Sequence, residues 1–135
     1  MDGAAPLPDD AAAPLVDPAV LADMTRDFSD PVIVHRFARD FSATLEGKLD
    51  RLELRIAAGD ATGAEDAVLS VTTSARMVGA MRLDRAARAI HGMITAHDLD
   101  GARGRLVVLR ACATDTIGEL RAAYPEGPEP TTVPS

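Results

Sequence analysis

Apolar residues recur three or four positions apart through the middle of this chain, the period of a helix that buries one side. The clearest run is Phe37, Phe41, Leu45, Leu49, Leu52 and Ile56, one continuous stripe closed by Gly59. A second run, Ala64, Ala67, Val68, Val71, Ala75 and Val78, ends at Gly79. Leu83, Ala87, Ile90 and Ile94 follow on a helix that stops near His97-Asp98. A last stripe carries Leu99, Ala102, Leu106, Leu109, Ala113, Ile117 and Leu120, read as one uninterrupted helix. No stretch alternates with period two, so strands are not expected.

The boundaries carry their own signals. Asp17-Pro18 and Asp30-Pro31 each pair an N-cap residue with proline at the first helical position. The first opens a short helix to about Phe28, the second the long helix. For the helix after Gly59, Thr62 and Glu65 have the spacing of a capping box, with Asp60 the alternative cap. Connections around 59–62, 79–82 and 97–99 are too short for anything but antiparallel neighbours. The expected fold is all-α, an antiparallel up-and-down four-helix bundle with a short extra N-terminal helix. It spans residues 17–124, between flexible tails at 1–16 and 125–135 that are rich in Pro, Ala and acidic residues.

Composition narrows the function. The chain has 135 residues, about one domain. Only 3% are aromatic, so the core must be built from aliphatic side chains. The net charge of −7 argues against binding nucleic acid through its phosphates and against anionic membranes. Cys112 is the single cysteine, which excludes an intramolecular disulfide and a cysteine-based zinc cluster. The N-terminus lacks the basic region of a secretory signal, and no apolar run approaches the ~18 residues of a membrane span. A cytoplasmic, monomeric protein without metal or cofactor is expected.

The run Val68-Leu69-Ser70-Val71-Thr72-Thr73-Ser74-Ala75-Arg76-Met77-Val78-Gly79-Ala80 resembles the signature of histidine phosphotransfer (HPt) domains, roughly A-H-x-L-K-G-S-A-x-x-L-G-A. The approach from Leu52 to Gly59-Asp60, and the passage Ala96-His97-Asp98-Leu99-Asp100-Gly101-Ala102, look like the family's flanking segments. The resemblance covers about Asp17 to Tyr124 and implies a place in two-component phosphorelay signalling. It also implies where this chain departs. The family's phosphorylated histidine falls on Leu69, its phosphoryl-contacting lysine on Thr72, and the glycine that admits the partner's backbone on Thr73. Ser74, Val78 and Gly79, which serve packing, keep the pattern.

Leucine has no nucleophilic nitrogen or oxygen, so residue 69 cannot accept a phosphoryl group. At about 100° per residue, Leu69 lies about 140° from Ala64, and Thr72, Thr73 and Arg76 share its side of the helix. These four form the expected partner-binding face of a non-enzymatic adaptor for a response-regulator receiver domain or another signalling protein. Arg76, Arg82, Arg85 and Arg88 read first as a solvated basic face, with complementarity to an acidic partner as the alternative. Two alternatives stand beside it. One is a bundle that binds an unrelated partner or itself; the other is a true relay through a displaced phosphoacceptor, for which His91 is the candidate. His35 and His97 suit surface and cap positions. No two histidines stand at i, i+4, and Ser70 and Ser74 have no histidine base beside them. Cys112 is expected to be a packed thiol.

Overall fold

The computed structural model describes residues 15–28 and 31–124. They form α1 (Pro18–Phe28), α2 (Pro31–Ala57), α3 (Ala61–Val78), α4 (Met81–Thr95), α5 (Leu99–Gly104) and α6 (Leu106–Ala123). Helices α2, α3, α4 and α6 make the bundle: α3 packs against α2 and α4, and α6 closes it by packing on both as well. Helix α1 lies against α2 and α3.

Every residue of the stripes on α3 and α4 is buried, as are Phe41, Leu45, Leu49, Leu52 and Ile56 on α2. Leu15 and Val16, placed by composition in the N-terminal tail, instead pack partly buried against this core. Their backbone is drawn in because the next residue, Asp17, donates its N–H to Gly79 O at 2.7 Å. The tails before and after, and Asp30 as an N-cap, lie outside the described residues.

Three helices end by the same local device. After α2, Asp60 N bonds back to Arg55 O and Gly59 N to Ile56 O; after α3, Ala80 N reaches Ala75 O and Gly79 N reaches Arg76 O. After α4, Asp98 N bonds Met93 O and His97 N bonds Ile94 O. Each is a Schellman closure, which needs a left-handed residue. Gly59, Gly79 and His97 supply it, with φ of 72°, 78° and 62°. Histidine is one of the non-glycine residues that tolerate this region. Two of the turns then cap the next helix at once. Asp60 accepts from Gly63 N and Asp98 from Gly101 N, both at 2.9 Å. Of the two caps open for α3, the structure uses Asp60. Asp17 likewise accepts from Ala19 N at the start of α1.

The last helix is not continuous. A turn at Arg105, whose N–H is shared between Gly101 O and Ala102 O, separates α5 from α6. Gly101 and Gly104 weaken the helix there. The ladder resumes with Leu109 N on Arg105 O, so the apolar stripe keeps its side.

One polar clamp ties the first bundle helix to the last. Arg110 on α6 reaches Asp50 at 2.8 Å, Glu53 at 2.7 Å and Glu46 at 3.2 Å, all on one side of α2. Hydrogen bonds from Asp50 and Glu53 raise the Arg110 pKa above its ordinary value.

Candidate functional site

Helix α3 is wedged between α2 and α4, so only a narrow arc of it meets solvent. Leu69 is at the centre of that arc, 41% exposed. Thr73 and Arg76 are exposed along the same line toward the helix C-terminus. Glu65 and Asp66 flank Leu69 one turn earlier.

Thr72 does not belong to this arc. It is 7% exposed, and its hydroxyl donates to Leu69 O at 2.9 Å. An angle measured from the core stripe alone puts Thr72 on Leu69's side, but it stands on the line of Glu65 and Arg76, which pair with His91 and Asp84 of α4, and is buried there. The four-residue face is therefore corrected to Leu69, Thr73 and Arg76, with Met77 exposed beside them.

On the α2 flank a groove separates the two helices. Its apolar end is lined by Phe37, Phe41 and Met77, its polar end by Lys48, Arg51 and Ser70. On the α4 flank lies an ionic group that sequence reading did not assemble. Asp84 is buried, its side chain 3% exposed, between Arg76 Nε and Arg88 Nε, each 3.3 Å away. Oδ1 has no aligned hydrogen bond, so its contact with Arg76 is an ion pair by distance alone. Asp84 sits in the first turn of α4, where the helix dipole favours a carboxylate. It ties Arg76 of α3 to α4, beside Arg88 of its own helix. The only hint in the sequence is an acidic residue four positions before Arg88, among arginines three apart.

This carboxylate has a measurable cost of removal. Asp84→Ala deletes both ion pairs but leaves two half-exposed guanidinium groups in water, not an orphaned buried charge. The expected loss is therefore about 1–2 kcal/mol, below the 3–5 kcal/mol of a fully buried pair. Urea denaturation checks it, and a loss above that window would mean that Arg76 or Arg88 is buried when the pair breaks.

The histidines are dispersed. His91, on α4, is half-buried, and its Nε2 lies 3.1 Å from Glu65 Oε2 across the α3–α4 interface. His35 meets Tyr124 edge-to-face, with ring centroids 6.0 Å apart. His97 occupies the left-handed cap position after α4. Cys112 is buried in α6. Among the described residues, no three His, Cys, Asp or Glu side chains gather as metal ligands, and no helix is long and apolar enough to cross a membrane.

No protein-family model matches this chain, and no curated protein does. Among solved structures it is similar to histidine-containing phosphotransfer protein B (HptB) from Pseudomonas aeruginosa PAO1, with a TM-score of 0.76 and 19% sequence identity. The match covers 83% of this chain and 96% of that one. At that identity the likeness is one of fold: this chain is an all-helical bundle of HPt-like architecture.

Proposed function

We propose that this protein is a two-component signalling adaptor that docks a response-regulator receiver domain and carries no phosphate itself. The observation that supports it is Leu69, exposed at the centre of α3's solvent arc on an HPt-like bundle. A side chain without a nucleophilic atom at that place leaves a surface for contact and none for transfer. Leu69 and Met77 supply apolar area, and Arg76 and Arg88 supply charge at the rim. Thr73 carries a side chain where the family has glycine, so the partner's backbone stands farther off than in a phosphotransferring pair.

A relay through His91 is the rival reading. Its Nε2 already faces Glu65 Oε2, which a phosphoryl group must displace against the carboxylate's charge. The two readings separate in an NMR titration of labelled protein with purified receiver domains. Amide shifts are expected around Leu69, Thr73 and Arg76, and Leu69→Glu is expected to weaken binding at least ~10-fold, about 1.4 kcal/mol. Shifts centred on His91, with acid-labile phosphate that disappears in His91→Ala, would replace the adaptor by a relay.

A further inference from the structure

Resting on that docking reading, we infer that the Leu69 face selects the unphosphorylated form of its partner, so that phosphorylation of the receiver releases it. A phosphoryl dianion brought out of water needs charged or N–H and O–H donors around it. Leu69 offers none. The Thr72 hydroxyl is buried and committed to Leu69 O, which leaves the neutral hydroxyl of Thr73 on the arc. One turn before Leu69 stand the carboxylates of Glu65 and Asp66, whose field opposes a second anion.

The cations nearby are held off the centre. Arg76 is seven residues on, about 10 Å along the helix axis, and it shares the single carboxylate of Asp84 with Arg88. Lys48 and Arg51 belong to α2 and line the groove beside Ala67 and Ser70, on the flank away from α4. Desolvation at the centre therefore outweighs attraction from the rim. Before phosphorylation the receiver's aspartate carries a single carboxylate charge in place of the phosphoryl dianion, so less charge is taken out of water against Leu69.

The test compares one purified receiver domain in two states, with Mg²⁺ alone and with Mg²⁺ and beryllofluoride, by calorimetric titration against the full-length chain. Beryllofluoride is expected to weaken binding at least ~10-fold. Leu69→Lys, at an exposed position that does not hold the core, is expected to reverse the order of the two states. A conformational change in the receiver alone would act equally on both variants, so an unreversed order in Leu69→Lys overturns the assignment to residue 69. Equal or tighter binding with beryllofluoride overturns the inference, and loss of that gain in Lys48→Met would place the phosphoryl contact on Lys48. Absence of binding in both states, across the receivers tested, removes the docking reading and this inference with it.

Discussion

Leu52→Ala is expected to lower the unfolding free energy by about 3–5 kcal/mol, in the upper part of the range for a buried leucine. Leu52 is 0% exposed and sits in a stripe between Leu49 and Ile56, with the stripes of the neighbouring helices packed around it. The helices around it are themselves packed on one another, so the cavity has little freedom to close. Against a total stability of about 5–15 kcal/mol for a domain of this size, the variant stands near the edge of folding. Urea denaturation gives the number, with the midpoint moving and the slope unchanged. Leu54→Ala, two residues away and 66% exposed, is the control and is expected to stay within about 0.5 kcal/mol of wild type. Similar losses in both would mean that the stripe does not point inward as described.

Gly79→Ala is expected to cost about 2–4 kcal/mol, and Gly59→Ala only about 1–2 kcal/mol, although both glycines close a helix in the same way. Both have positive φ, which alone penalises a side chain. They differ in what a Cβ would meet. At Gly59 nothing lies within 4 Å, whereas at Gly79 it would fall 2.7 Å from Asp17 O and 2.9 Å from Val20 Cβ. The contact at Gly79 is with backbone, so it cannot be relieved by turning a side chain. Helix α1 must move instead, and the 2.7 Å bond from Asp17 N to Gly79 O goes with it. Faster amide exchange in α1, centred on Leu21, is therefore expected in Gly79→Ala and not in Gly59→Ala. Equal costs and equal exchange would show that α1 is not seated on this corner.

The two variants also mark how much of the molecule was legible beforehand. The stripe containing Leu52 was visible as spacing, and the glycine ends as punctuation, because both depend on residues within about one turn of each other. The contact between Gly79 and α1 was not visible, since it joins two helices separated by the whole of α2. The turn at Arg105 escaped for a different reason. The apolar spacing continues through it unchanged, while Gly101 and Gly104 alter the backbone without altering the stripe.

The site divides along the same line. That residue 69 cannot carry phosphate follows from its identity, and that it lies off the core follows from its angle on the helix. Which of its neighbours share the surface does not follow. Thr72 is buried, and Arg76 is drawn to an aspartate on α4. His91 is turned to Glu65 on α3.

By itself, then, the sequence determined the helices and their ends, apart from the break at Arg105, together with their buried sides and the absence of a nucleophile at position 69. These are properties of residue identity and of contacts three to five positions apart. The tertiary structure alone decided that Asp84 is buried between Arg76 and Arg88, and that Arg110 meets Glu46, Asp50 and Glu53. It also decided that the exposed arc of α3 is one residue narrower than its periodicity implies. Periodicity specifies which side of a helix is apolar, but the width of surface left to solvent and the partner of each charge are set by how closely the neighbouring helices approach, a sum over packing contacts distant in sequence.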